Sequence, residues 1–272
     1  MRVHLDLVSL EDKPAIPVNY NHLLSRALLK ILSKAEPAYQ AHLRTLGLKG
    51  QFNKRFRLFT FSSLQFYGPR WNLEDGVFVF EEPLHAKLIL SFAHPQEFIK
   101  NELAPLFDNA TLTINSRAGE LRLKAASAEL KPFPQLQAGT FKALAPITIS
   151  RKVKDEVRYL SPRSYECGLA LADNLIEKYE LLTGERLTQE MVTIKVDPEY
   201  LSRAPHPMKV FNLDEGTPDA ARVRAFLAPV RLSGDPRLIR LAFACGLGER
   251  NSQGFGLLAE PSARKFRCLR KA

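Results

Sequence analysis

The order strand, helix, strands, helix, strand is written twice along this chain, once in residues 1–130 and again in residues 131–272, and that repetition limits the available folds more than any other feature. In the first half, RVHLDLVSL alternates apolar Val3, Leu5 and Leu7 with polar neighbours, the period of a half-buried strand. NHLLSRALLKILSKAEP places Leu24, Ala27, Leu28, Ile31 and Leu32 at helical spacing, with Pro37 as the break. A second short helix, AYQAHLRTL, stops at Gly47, and RLFTFSSLQF, GVFVFEE and AKLILSFA read as strands between turn residues. The helix PQEFIKNELAPLF leads into a hairpin, TLTINSRAGELRLKAA, that turns at Ala118–Gly119.

LKPFPQLQAG, rich in Pro, Gln and Gly, reads as a linker and puts a domain boundary near residue 130. Beyond it APITISR reads as a strand, and SPRSYECGLALADNLIEKYELLTG as a long helix that starts at Ser161–Pro162 and stops at a glycine. MVTIKV and RVRAFLAPVRLSG read as strands. DPRLIRLAFACG is a short helix with Asp235 as N-cap, Pro236 at the first helical position and Gly246 just past the end. A glycine-rich loop then leads into a final strand, GFGLLAEP. Two βαββαβ modules in tandem, an α+β arrangement, fit this order better than one large sheet. A length of 272 residues with 45% hydrophobic content is enough for two cores of roughly 130 residues each.

Charge narrows the partner. Lys and Arg outnumber Asp and Glu by 39 to 29, a formal net charge of +10, which points to a polyanion and foremost to nucleic acid. Three cysteines, Cys167, Cys245 and Cys268, are odd in number and nowhere spaced CxxC, against both a disulfide framework and a thiolate zinc site. The opening MRVHLDLVSLEDK lacks a signal-peptide apolar run, and no stretch approaches the ~20 apolar residues of a membrane span, so a cytoplasmic protein with no membrane partner is expected. Six scattered histidines (His4, His22, His42, His85, His94, His206) show no metal-ligand spacing, and neither a metal nor a cofactor is expected.

The loop GLGERNSQGFG, Gly246 to Gly256, holds four glycines in eleven positions. A dinucleotide fingerprint or a P-loop needs strand, glycines, helix in that order, whereas here the order is helix, glycines, strand, with no Gly-Lys-Ser/Thr. Two readings remain. In one, Gly246, Gly248, Gly254 and Gly256 let backbone N–H groups approach a phosphate backbone, and Arg250, Asn251 and Ser252 add donors. In the other, the glycines supply positive φ to a tight turn.

The loop resembles G-x-G-x-[RK]-[NT]-S-x-G-[FY]-G, the most diagnostic motif of the CRISPR precursor-RNA processing endoribonucleases within the repeat-associated mysterious protein (RAMP) superfamily. PVNYNHLLSRALLKIL is similar to that family's entry into its first helix, and DNLIEKYELLTGE to its second-domain helix. The resemblance implies two tandem ferredoxin-like (RRM-like) βαββαβ domains, 1–130 carrying the catalytic region and 131–272 the glycine-rich RNA-binding loop. It also implies binding of CRISPR repeat RNA and metal-independent cleavage of precursor crRNA by attack of a 2′-hydroxyl on the adjacent phosphate, leaving a 2′,3′-cyclic phosphate. Other CRISPR effector subunits and a second copy of the chain are further candidate partners. A non-cleaving RNA-binding RAMP subunit of an effector complex is the alternative.

Such chemistry needs a base for the 2′-hydroxyl, an acid for the leaving 5′-oxygen and positive charge at the phosphate. Relatives carry a histidine in an L-H-x-x-G segment, a tyrosine in the first helix and a downstream lysine. Alignment on Pro37 and Gly47 puts Arg44 at the histidine position, alignment of the first helix puts Leu29 at the tyrosine, and Arg57 falls near the lysine. His42, two residues from Arg44, is the first candidate acid/base because imidazole titrates near neutrality unassisted. His22 is the second candidate, and Arg44, Lys49 and Arg57 are helpers. KGQFNKRFR, with Lys49, Lys54, Arg55 and Arg57 among phenylalanines, and RKVKDEVR, with Arg151, Lys152, Lys154 and Arg158, are candidate RNA-backbone contacts.

Overall fold

A computed structural model describes residues 1–45, 57–68, 70–154, 156–213 and 220–261. Its chain divides into two compact units. The first comprises Met1–Pro132 with Asn212–Ala221 and Ser252–Gly254; the second comprises Phe133–Phe211, Arg222–Asn251 and Phe255–Ala272.

In the first unit, β1 (Arg2–Ser9) leads through β2 (Ala15–Pro17) to α1 (Asn21–Leu32) and, after one 3-10 turn, to α2 (Glu36–Thr45). Pro37 does not end a helix, as expected, but sits in the first turn of α2, where its missing N–H has no partner to lose. There follow β3 (Phe59–Phe61), β4 (Gln65–Tyr67), β5 (Trp71–Glu74), β6 (Val77–Phe80) and β7 (His85–Phe92). The expected helix after β7 is irregular: an α-turn (α3, Gln96–Phe98) passes into a π-turn over Ile99–Leu103 and a 3-10 turn over Ala104–Phe107. Ala104 N–H reaches back to the Ile99 carbonyl, and Pro105 has no N–H with which to continue an α-ladder. The hairpin β8 (Thr111–Ser116) and β9 (Gly119–Lys131) closes the unit.

The main sheet runs β3-β7-β1-β9-β8, antiparallel throughout. Val3, Leu5 and Leu7 point into the core with Leu88 and Leu90 of β7, Leu121 and Leu123 of β9, and Leu24 and Leu28 of α1. A small sheet, β2-β6-β5, is inserted between β1 and β7. Its three-residue β2 carries no period long enough to read from sequence.

The second unit repeats the plan: β10 (Gly139–Ala143), β11 (Ser150–Val153), β12 (Glu156–Tyr159), α4 (Tyr165–Thr183), β13 (Val192–Val196), α5 (Pro198–Arg203), β14 (Met208–Leu213), β15 (Ala221–Phe226), β16 (Val230–Gly234), α6 (Pro236–Cys245) and β17 (Leu258–Pro261). Its sheet runs β13-β16-β10-β17. Taking β1, β3, β7 and β9 as the four principal strands of the first unit and β10, β13, β16 and β17 as those of the second, both sheets have the spatial order 2-3-1-4. This is the ferredoxin-like βαββαβ topology, twice.

The second unit opens on β10 rather than on APITISR. Only Phe141 and Ala143 alternate inward on β10, too few to mark a strand, while Pro146 lacks the N–H that a ladder through APITISR needs. RVRAFLAPVRLSG is split into β15 and β16 around Pro229. The long helix α4 is capped by Ser164, whose hydroxyl accepts from Cys167 N–H, and ends at Gly184 with φ 78°. Cys167 and Cys245 are buried thiols, and Cys268 lies outside the described residues. No helix among the described residues is long and apolar enough to cross a membrane.

Candidate nucleic-acid interface

The glycine-rich loop joins α6 to β17, and its shape is set by a buried amide. Asn251 donates through Nδ2 to the Leu247 carbonyl at 3.1 Å and to the Phe255 carbonyl at 3.0 Å, tying the two sides of the loop together. Its Oδ1 accepts from Lys178 Nζ at 2.7 Å, and the same ammonium donates to the carbonyls of Gly246 at 3.1 Å and Gly248 at 2.6 Å. Lys178 projects from α4, so the second-domain helix holds the loop by a three-pronged contact. Burial pushes its pKa below the ordinary lysine value, partly opposed by Cys245, Glu249 and Glu177.

The four glycines belong to this internal scaffold. All have positive φ and all are buried. At Gly248 a side chain would run into the Thr148 carbonyl, and at Gly254 it would come within 2.7 Å of the Phe61 ring. The expectation that Gly246, Gly248, Gly254 and Gly256 leave bare main chain for a phosphate strand is therefore corrected: protein atoms occupy that space, and glycine is needed for close packing and left-handed backbone. The same holds for Asn251, expected as an RNA donor, whose amide is used within the loop. Arg250 differs. It is exposed, with φ 57°, at the outer bend of the loop.

Glu249 connects Arg250 to the first basic strand of the second unit. Its carboxylate accepts from Ser150 N–H at 3.2 Å and from Ser150 Oγ at 2.9 Å, while its own N–H donates to the Thr148 carbonyl. Ser150 begins the two-stranded ribbon β11–β12, in which Arg151 faces Arg158 and Lys152 faces Val157. Arg151 turns toward α4, with Glu166 at 3.2 Å and Asp173 at 3.6 Å. Arg250, Arg151, Lys152, Lys154 and Arg158 are each exposed, and the Glu249–Ser150 bonds bring the loop bearing Arg250 to the start of the ribbon bearing the others. Sequence reading missed Arg222 and Arg224, both exposed on β15 and alternating with buried Val223 and Ala225. The Arg224 carbonyl accepts from Thr148 Oγ1 at 2.9 Å, beside the ribbon's root, and the Arg-x-Arg alternation was the available signal.

Within the first unit, the loop segment Ser252–Gly254 lies against the start of α1. Ser25 Oγ donates to the Ser252 carbonyl at 2.6 Å, and Asn21 Nδ2 to the Gly254 carbonyl at 3.1 Å. His22, between these two on α1, is buried, 9% exposed. Ser252 is half-buried. His42 and Arg44 lie on α2, and Arg57 is exposed just ahead of β3. Lys49, Lys54 and Arg55 fall outside the described residues. Among the described residues no three His, Cys, Asp or Glu side chains are grouped to hold a metal ion.

Residues 129–260 match the family described as CRISPR associated protein Cas6, C-terminal. Over 263 residues the chain is 27% identical to CRISPR-associated endoribonuclease Cas6 1 of Methanocaldococcus jannaschii, covering 95% of this chain and 92% of that protein. It also resembles a solved CRISPR associated protein Cas6 (TM-score 0.68, 24% identity, 96% of this chain and 99% of that one). A Cas6-related protein from Pyrococcus furiosus superposes with a TM-score of 0.70 at 19% identity, covering 97% of this chain and 99% of that one. A RAMP protein described as binding different RNA substrates gives a TM-score of 0.70 at 20% identity, over 96% of this chain and 100% of that one. These structural likenesses bear on the fold.

Proposed function

We propose, from the premise that residues 129–260 are a Cas6 C-terminal domain, that the chain is an endoribonuclease that binds CRISPR repeat RNA and cuts precursor crRNA. The observation that carries this reading is the junction at Glu249. It fastens the loop to the start of the basic ribbon, bringing exposed Arg250 to the strand that carries the exposed cations Arg151 and Lys152, side chains suited to a phosphate backbone.

The cut needs no metal. A base takes the proton of a ribose 2′-hydroxyl, the 2′-oxygen bonds to the adjacent phosphorus, and the bond from phosphorus to the 5′-oxygen breaks as an acid protonates the leaving group. The products are a 2′,3′-cyclic phosphate and a 5′-hydroxyl. His42 on α2 is assigned the acid/base role, with Arg44, Lys49 and Arg57 stabilising the charge of the crowded phosphate. His22 is the second candidate, supported by its place between the two α1 residues that hold the loop. The domain carrying these residues is the N-terminal one, 1–130, and the loop and ribbon lie in 131–272.

One feature favours a second reading: the family resemblance implies a histidine at the position that is Arg44 here. A non-cleaving RNA-binding subunit of an effector complex would need no acid/base pair. Labelled repeat RNA incubated with the protein in EDTA, beside the same RNA with a 2′-deoxy group at the cut site, separates the two. Cleavage of the first RNA alone is expected. Binding without a cut selects the subunit, and absence of binding defeats both. His42→Ala should slow cleavage by about 100-fold or more with little change in affinity; normal cutting by that variant transfers the role to another residue, with His22→Ala the next to measure.

A further inference from the structure

We infer that Tyr165 is a nucleobase-stacking residue that holds a single-stranded stretch of bound RNA against the root of the β11–β12 ribbon, an inference that rests on the RNA-binding reading above. Tyr165 is 80% exposed, the most exposed large apolar side chain among the described residues. It is the first residue of the 19-residue helix α4, and its backbone is fixed on both sides. Ser164 Oγ accepts from Cys167 N–H and donates to the Ser161 carbonyl, while the Arg163 guanidinium donates to the carbonyls of Leu201 at 2.9 Å and Ala204 at 2.7 Å. A ring that packs against almost nothing is thus carried on an ordered turn. That arrangement gives the fold little and leaves an aromatic face available to a ligand at low ordering cost.

Its surroundings specify the ligand. Glu166, the next residue, contacts Arg151, so the ribbon strand that carries Arg151 lies beside the same helix end. Lys152, Lys154 and Arg158 on the ribbon and Arg163 ahead of α4 are exposed or mostly exposed. An aromatic ring among cations that track a backbone is the common arrangement for single-stranded nucleic acid, in which each base offers a π-face and each linkage a charge. A duplex would keep its bases stacked on each other, so the ring selects unpaired nucleotides.

Binding of repeat RNA by the parent, Tyr165→Phe and Tyr165→Ala, measured by fluorescence anisotropy, tests this. Loss of one stacked base should weaken the Ala variant by about 5- to 100-fold, while Phe, which keeps the ring, stays within about twofold of the parent. RNAs with single abasic sites complete a cycle: one abasic position should weaken the parent and leave Tyr165→Ala unaffected. Thermal unfolding of all three proteins should coincide, because the ring is outside the core. If Tyr165→Ala binds like the parent, or Phe falls with Ala, the stacking inference is overturned while the RNA-binding reading stands. If the parent itself fails to bind repeat RNA, or the ring instead proves to dock a protein partner, both or the former respectively are lost.

Discussion

Neighbouring residues in the glycine-rich loop have opposite duties. Asn251 is 8% exposed and makes bonds at both its amide atoms, whereas Arg250 points outward. Asn251→Ala should remove the amide bonds to the Leu247 and Phe255 carbonyls and one of the three acceptors of the Lys178 ammonium, and cost about 3 kcal/mol of stability, measured by urea unfolding. Lys178→Met, which strips three acceptors, should be similarly destabilising. A loss below about 1 kcal/mol in both would mean that the loop is held by other contacts. Arg250→Ala should weaken RNA binding and reduce the slope of log affinity against log salt by about 0.7–0.9, the effect of one phosphate contact. An unchanged slope would remove Arg250 from the interface. From sequence, both residues looked like donors for RNA, because a motif records residue types and not the direction in which side chains point.

At the level of elements, well-punctuated helices were legible and weakly patterned strands were not. Asp235-Pro236 at one end and Gly246 at the other marked α6 to the residue, and Gly184 marked the stop of α4. β10, with two inward residues, and the three-residue β2 carry too short a pattern to read as strands, and the run after β7 reads as a regular helix although Pro105 breaks its ladder. Asp197, the cap of α5, was not singled out. It accepts from Tyr200 N–H at 3.0 Å and from the Arg231 guanidinium at 3.0 Å. Burial raises its pKa, but these donors more than offset that and hold it below the ordinary 3.8. A depressed carboxylate favours the folded state above the unfolded-chain value, and that contribution is lost as pH falls through the lower folded value. Asp197→Asn keeps a capping oxygen and loses the charge. It should therefore be less stable than the parent near neutral pH by up to about 1 kcal/mol, with the difference closing as pH falls through the lowered folded value in urea titrations. A difference that persists in acid would assign the effect to the cap instead of the ion pair.

Over the whole molecule, the duplicated order of elements points to two βαββαβ modules, the family resemblance implies that they are ferredoxin-like, and both sheets have the corresponding 2-3-1-4 order. The site was less legible. Within the second unit Glu249 meets Ser150 and within the first Asn21 meets Gly254, pairs separated by 99 and 233 positions, which no local pattern encodes. The division at Pro132 is also not a clean cut in the chain, since Ser252–Gly254 belongs with the first unit. A fragment of residues 1–132 should therefore unfold at lower urea than the first unit does in the full chain, having lost the carbonyls that Asn21 and Ser25 hold; equal midpoints would show that these bonds add nothing. The same placement bears on biosynthesis. β17 lies beside β10 in the second sheet, and the tripeptide that completes the first unit comes just before it. A nascent polypeptide can finish neither half until this late stretch has cleared the ribosome, so both halves mature together after translation of the loop, and a premature stop ahead of it would cripple the two at once.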